Sequence, residues 1–326
     1  MRETAALRAA PFLRRGCPAA MERRTDYPAY LALARSGELA RRRERAAALL
    51  ESCSLCPRRC GVNRLEDERG VCGVGRLAVV SSAHAHFGEE AALVGDRGSG
   101  TVFFGGCNLK CVFCQNHEIS HELAGEEATP GRLAALMFRV LELGCHNLNL
   151  VTPTHVVPQI LEALESAVEG GFDLPIVYNT GGYDSLDVLA LLDGVIDIYM
   201  PDVKFFDPAV AKRLAGAEDY PSVVRAAVRE MHRQVGDLEL SDEGVARRGL
   251  LVRHLVMPGM LDDSKRIAAF LADGISRGTY VNVMAQYRPE HRSCEHPPID
   301  RPLSREEWRE AVRLAREAGL SRFDPG

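Results

Sequence analysis

The chain has 326 residues, 46% hydrophobic and 26% charged, a balance that lets a globular protein build a large core without staples. Its net charge of −5 gives no support for a nucleic-acid partner. No apolar run approaches the ~18 residues of a membrane-spanning helix, so no membrane partner is expected either.

The N-terminus, "MRETAALRAAPFLRRGCPAA", is rich in Arg and Ala. Arg8, Arg14 and Arg15 interrupt the apolar stretch that a secretory signal needs. The composition is nearer to an organelle transit peptide. The reading adopted is an unstructured extension with Met21 as an alternative start, in a cytoplasmic protein. Ten cysteines without an export signal point to reduced thiols and metal, not to disulfides. They form two clusters, Cys53, Cys56, Cys60 and Cys72, then Cys107, Cys111 and Cys114. Cys17, Cys145 and Cys294 stand alone and receive no function.

Residues 26–51 are expected to form one Ala/Leu/Arg-rich helix, with the Arg41–Arg43 run as a solvated face. The first cysteine cluster follows, then "LAVVSSAHAHFG", a strand or hairpin. From residue 99 a rhythm begins. The strands are "GTVFFGG", "NLNLVTP", "LPIVYNTGG", "VIDIYMPDVK", "RGLLVRHLVMPG" and "TYVNVMAQY". Between them lie "GRLAALMFRVLELG", "VVPQILEALESAVEGG", "SLDVLALLDG", the stretch from Pro208 to about Val235 and "SKRIAAFLADG", all helical. A last helix opens on the capping box of Ser304 and Glu307. Six strands alternating with helices imply a parallel sheet with right-handed crossovers. A doubly wound sheet and an open partial barrel both fit.

In such folds ligands bind at the carboxyl ends of the strands. Those ends carry Gly105, Gly106 and three cysteines; Thr152 and His155; Asn179, Thr180, Gly181 and Gly182; Asp202 and Lys204; Arg253 with Pro258-Gly259; and Gln286 and Tyr287. Singly, each has a plain structural alternative: an ion pair for Asp202 and Lys204, a tight turn for Thr180-Gly181-Gly182, a helix cap for His155. Six polar tips on one edge favour a single site. His155, Arg253, Gln286 and Tyr287 are positional candidates near a substrate.

"CNLKCVFCQN" spaces Cys107, Cys111 and Cys114 as C-x3-C-x2-C. A cubane [4Fe–4S] cluster normally takes four thiolates, so three leave one iron open. An open position is what separates a catalytic metal centre from a closed one.

At these residues the sequence resembles the radical S-adenosylmethionine (SAM) superfamily, with Phe113 as the aromatic before the last cysteine. The resemblance extends over roughly residues 77–290 and is nearest to the pyruvate formate-lyase activating enzymes and their iron–sulfur homologues. It is carried by "FFGGCNLKCVFCQNHEIS", "VYNTGG", "MPDVKFFD", "RHLVMPGMLDD" and "VNVMAQY". The resemblance implies a partial (β/α)6 TIM-like barrel, with an N-terminal helical arm and a small cysteine-rich metal segment added here. It divides the chain into an extension and helix at 1–45, the metal segment at 46–76 and the barrel at 77–326. It implies that Cys107, Cys111 and Cys114 hold [4Fe–4S] and that SAM chelates the fourth iron. Phe113 then packs near the adenine, Asn179, Thr180, Gly181 and Gly182 meet the methionine moiety, and Asp202 and Lys204 lie beside it. Reductive cleavage would give a 5′-deoxyadenosyl radical that takes hydrogen from a substrate, a protein glycine in the activating enzymes. The electron would come from a one-electron reductant such as flavodoxin or ferredoxin.

Cys53, Cys56, Cys60 and Cys72 suit either a tetrahedral zinc site or a second iron–sulfur cluster. They also depart from the family pattern. Glycyl-radical activases with extra clusters place those cysteines after the C-x3-C-x2-C loop, not before it. Two other readings compete: an iron–sulfur electron-transfer protein without radical turnover, and a zinc-dependent binding module in which His117 completes the loop site.

Overall fold

The computed structural model describes residues 27–325. The extension with Arg8, Arg14, Arg15, Cys17 and Met21 lies outside the described residues. Residues 26–51, expected as one helix, form two where described, α1 (Tyr30–Arg35) and α2 (Glu38–Ala48). Gly37 between them takes φ 73°, a left-handed conformation that ends the helical run. The arginine run is not a uniformly solvated face. Arg42 donates to the carbonyls of Leu191 and Asp193, and Arg43 pairs with Glu165 at 3.0 Å.

The cysteine-rich segment follows, its one regular element a 3-10 turn at Arg64–Glu66. Next come β1 (Ala78–His86), α3 (Ala91–Val94), β2 (Ser99–Phe104), α4 (His117–Ser120), β3 (Glu126–Ala128), α5 (Pro130–Glu142) and β4 (Leu148–Val151). Then α6 (Val157–Glu169), β5 (Ile176–Thr180), α7 (Leu186–Leu192), β6 (Ile198–Pro201), α8 (Pro208–Ala215), α9 (Tyr220–Val235) and β7 (Glu239–Leu240). The chain continues through β8 (Ala246–Leu255), α10 (Leu261–Gly274), β9 (Tyr280–Met284), α11 (Arg305–Glu317) and β10 (Arg322–Phe323). Local chemistry sets several starts. Thr129 caps α5 and Asp207 caps α8, each followed by proline at the first turn. The capping box of Ser304 and Glu307 is formed on α11.

Strands β2, β4, β5, β6, β8 and β9 pair side by side in chain order, all parallel. They are the six strands that the sequence rhythm predicts. A doubly wound sheet would reverse its order at a switch point; this order never reverses, so the winding is that of a barrel. β1 and β3 extend the β2 side antiparallel, β10 extends the β9 side parallel, and the two outer strands do not pair. The barrel is therefore open. Side chains cross the opening: Asn282 of β9 donates to Glu90 at 2.9 Å, and Arg253 of β8 lies 3.5 Å from Glu89.

One hydrophobic cluster runs from Tyr30 and Leu39 through Leu55 and Val74 into the barrel core. The arm and the cysteine-rich segment thus share that core. No helix among the described residues is long and apolar enough to cross a membrane.

Candidate functional site

All six parallel strands end at one cavity of about 250 Å³. Phe103 and Phe104 of β2, the three loop cysteines and Phe113 line one side. Thr152, Asn179, Thr180 and Gly181 line the middle, and Asp202, Lys204, Arg253, Met284 and Gln286 the other side. Chain order and parallel pairing put every carboxyl end on the same edge, which is why residues 180 positions apart meet here.

The loop begins at Gly106, whose φ of 82° and close surroundings both require glycine. A Cβ there would sit 2.6 Å from the Cys72 carbonyl oxygen. The Leu109 amide donates to Cys107 Sγ at 3.4 Å, and Cys114 Sγ lies 3.1 Å from Ser120 Oγ. Burial pushes the Cys107 thiol up to about 11 and the Cys111 thiol higher still. Metal binding would have to displace those protons. Among the described residues, no three His, Cys, Asp or Glu side chains converge closely enough to share a single ion. A polynuclear cluster gives each thiolate its own iron and tolerates that spread. Cys107, Cys111 and Cys114, all lining one cavity, would therefore suit a polynuclear cluster. His117 does not complete a zinc site: it is not part of the cavity wall, and its ring stacks on His291 at 4.9 Å.

The same cavity is lined by a buried charge network. Asp202 Oδ2 accepts from Lys204 Nζ at 2.5 Å, and Asp202 Oδ1 accepts from Arg253 Nε at 2.8 Å. Arg253 Nη2 donates to Asn179 Oδ1 at 2.6 Å. Burial alone would raise the Asp202 carboxyl; Arg253 and Lys204 outweigh it and hold the group below the usual carboxylate range. Burial likewise works against the Lys204 ammonium, and Asp202 outweighs it. The ion pair of Asp202 and Lys204 is therefore real, and it also faces the cavity. The network fixes Lys204 and Arg253 beside the thiols, with Asp202 and Glu89 offsetting their charge, and offers cationic donors to a carboxylate.

Behind Asn179 and Thr180 sits a group that the sequence reading misses. Asp184 Oδ1 accepts from Thr154 Oγ1 at 2.7 Å and from Tyr178 OH at 3.0 Å, and Oδ2 accepts from Thr180 Oγ1 at 2.7 Å. Burial raises its carboxyl. The network fixes the turn that presents Gly181. Its only trace in the sequence is an acid two positions after the glycine pair.

Other candidates fall elsewhere. Gly182 lies behind the wall, where a Cβ would meet the Asp202 carbonyl oxygen at 2.5 Å. His155 is buried away from the cavity, with Nε2 on the Gly105 carbonyl at 2.9 Å; burial holds its pKa down to about 4. Tyr287 is not in the wall either: its hydroxyl donates to the Ile299 carbonyl at 2.5 Å, and its ring supports Phe113 at 6.4 Å. Phe113 itself lines the cavity and packs edge-on against Phe205. Cys53, Cys56 and Cys72 are buried with Cys60 half-buried, in the segment against the back of the loop. Cys145 is buried and Cys294 exposed, both apart from the cavity.

A family model described as the Radical SAM superfamily matches residues 101–238, from β2 to just beyond α9. An uncharacterised protein of Methanocaldococcus jannaschii is 34% identical over 287 residues, covering 85% of this chain and 78% of that protein. A second from the same organism is 24% identical over 303 residues, covering 82% and 78%. Among solved structures, Streptococcus suis SuiB bound to precursor peptide SuiA overlaps with TM-score 0.42 at 12% identity, over 68% of this chain and 46% of that one. TYW1 with a lysine-pyruvate adduct overlaps with TM-score 0.30 at 12% identity, over 48% and 54%. The chain thus spans about half the length of both solved structures.

Proposed function

Because the chain belongs to the radical SAM superfamily, we propose that it reductively cleaves SAM and abstracts hydrogen from a substrate. The observation that carries this reading is the meeting of three thiols and a fixed Asp202–Lys204–Arg253 network in one cavity at the strand ends. A reduced [4Fe–4S] cluster, when bound, supplies one electron to the sulfonium and yields methionine and a 5′-deoxyadenosyl radical. Cys107, Cys111 and Cys114 would hold that cluster. Lys204 and Arg253 would face the carboxylate of SAM, kept in place by Asp202. Asn179 and Gly181 would border the methionine moiety, and Phe113 the adenine. Phe103, Phe104, Leu255 and Met284 give the wall an apolar portion that excludes water from a radical. The electron would come from a protein donor such as flavodoxin or ferredoxin.

Hydrogen abstraction from a protein glycine is the narrower form of this proposal. It is supported by the resemblance to activating enzymes, and the placement of the second cysteine set before the loop weighs against it. The test is 5′-deoxyadenosine release from anaerobically reconstituted protein given SAM and dithionite. Release that disappears in Cys111→Ala together with the loop cluster supports the proposal. An intact cluster with no 5′-deoxyadenosine overturns it and leaves an electron-transfer protein.

A further inference from the structure

Arg64 is 1% exposed, and its partners are two carbonyls. Nε donates to Gly75 O at 2.9 Å and Nη1 to His155 O at 2.7 Å, while buried Nη2 has no partner. The nearby acid Asp67 is exposed and paired with Arg69. A buried guanidinium without an anion is costly, so an anion belongs beside it. The same segment carries the four cysteines. The Arg64 charge acts on the Cys72 thiol, and the four thiols influence one another's ionisation; the chain folds Cys60 back on Cys53 through the Gly61 amide on the Cys53 carbonyl at 3.0 Å and the Cys53 amide on the Val62 carbonyl at 2.9 Å. The backbone wraps these sulfurs: the Val71 amide donates to Cys60 Sγ at 3.5 Å, and Gly70 passes so near that a Cβ would sit 2.7 Å from the same atom.

The set also touches the catalytic loop. Asn108, next to Cys107, is buried, its side chain donates to the Tyr183 carbonyl at 2.7 Å, and it counters the rise that burial imposes on the Cys56 thiol. Its Oδ1 lies 4.0 Å from Cys107 Sγ, so one side chain borders the loop sulfur and acts on the Cys56 thiol of the other set. Arg58 of the cysteine segment donates to the Asn108 carbonyl at 2.8 Å, and Gly106 is pressed against the Cys72 carbonyl.

We infer that Cys53, Cys56, Cys60 and Cys72 hold a second iron–sulfur cluster, charge-balanced by Arg64 and joined through Asn108 to the loop site, where it admits electrons. A centre held by four thiolates is anionic, which answers the unpaired guanidinium; among the described residues no three side chains converge on a single-ion site, a spread that a polynuclear cluster accommodates and a lone zinc does not. One electron leaves a protein donor, reduces this centre and passes to the loop cluster, returning the centre to its oxidised state. Half-buried Cys60 gives this centre an edge that lies outside the cavity lined by the loop cysteines. The inference rests on the proposed function only for the electron's destination.

The test begins with the full chain carrying Cys107→Ala, Cys111→Ala and Cys114→Ala, reconstituted anaerobically with iron and sulfide or, in parallel, with zinc. The expected result is roughly four irons retained per chain, with a paramagnetic signal on reduction. Bound zinc and no iron overturns the inference, whatever 5′-deoxyadenosine assays show. Arg64→Leu in the same background is expected to lower the midpoint potential, and Arg64→Lys to restore it; a potential indifferent to both removes the charge-partner role. In the otherwise native chain, Cys53→Ser with Cys56→Ser should slow loop-cluster reduction by flavodoxin and spare reduction by dithionite, which is small enough to reach the cavity. Equal loss with both reductants would make the segment structural and refute electron entry.

Discussion

Asp202 does two jobs that a surface ion pair cannot do. It fixes Lys204 and Arg253 at the cavity wall and neutralises part of their charge, with its carboxylate almost removed from water. Charge-assisted hydrogen bonds of this kind contribute about 1.5–3 kcal/mol each. Asp202→Asn keeps the shape and releases both cations. SAM affinity of the reconstituted protein is expected to fall roughly 10- to 100-fold, while iron content stays at the native level. Equilibrium dialysis with labelled SAM and iron analysis of the same samples check this. Unchanged affinity would leave the network a purely structural one. Thr152 adds strain at the same wall. It is β-branched yet takes φ 60°, held there by the hydrogen bond that its backbone N–H donates to the Asn179 carbonyl at 2.8 Å. Replacing it with glycine is expected to raise stability by about 1 kcal/mol, read as an increase in the denaturant midpoint. A lower midpoint would show that the Thr152 side chain contributes more than its backbone costs.

The arm formed by α1 and α2 is fastened to the barrel by single buried groups. Tyr30 is fully buried, stacks on Phe172 and donates to the Leu174 carbonyl at 2.8 Å. Asp197, just before β6, accepts from the Ala29 amide at 3.2 Å and from the Ile176 amide at 3.0 Å. Burial raises its carboxyl to about 6 against the pull of those amides. An acid with a raised folded value favours the fold when protonated. Its contribution is therefore complete below the ordinary value of ~4 and is lost as pH rises through about 6. The loss amounts to about 3 kcal/mol by pH 8. Asp197→Asn should flatten the fall in unfolding free energy between pH 4 and pH 8 by that order. Parallel curves for the two proteins would mean that Asp197 ionises as freely in the fold as outside it. His254 acts in the opposite sense. Burial depresses its ring to about 4, with Nδ1 on the Val203 carbonyl and Nε2 on Ser264, so its contribution fades on acidification from ~6.5 downward.

The plan of the whole molecule was legible where it rests on local pattern. Six apolar strand bodies with polar tips, the helices between them and the spacing of the cysteines are short-range facts of the chain. What stayed hidden depends on contacts between distant residues. The short strands β3, β7 and β10 have two or three residues and no period to detect. Gly37 breaks a helix that every neighbour favours. Asp184 and Arg64 declare their roles only once their partners arrive from other strands and loops. The clasp of the open barrel belongs with these. Glu89 and Glu90 follow β1, and nothing in the pair of acids announces that they reach β8 and β9. Yet Glu90 is 4% exposed and accepts from Asn282, while Glu89 faces Arg253, the same arginine that Asp202 orients. Closing the gap and shaping the cavity are thus one structural event. Glu90→Leu leaves the half-buried Asn282 amide without its partner, a cost of about 1 kcal/mol. Because the loss falls across the opening, it should act locally before it acts globally. Hydrogen exchange is expected to quicken in β9 and at the end of β1, with β4 and β5 unaffected. Uniform acceleration throughout the sheet would show that the two edges are held by the core and not by this clasp.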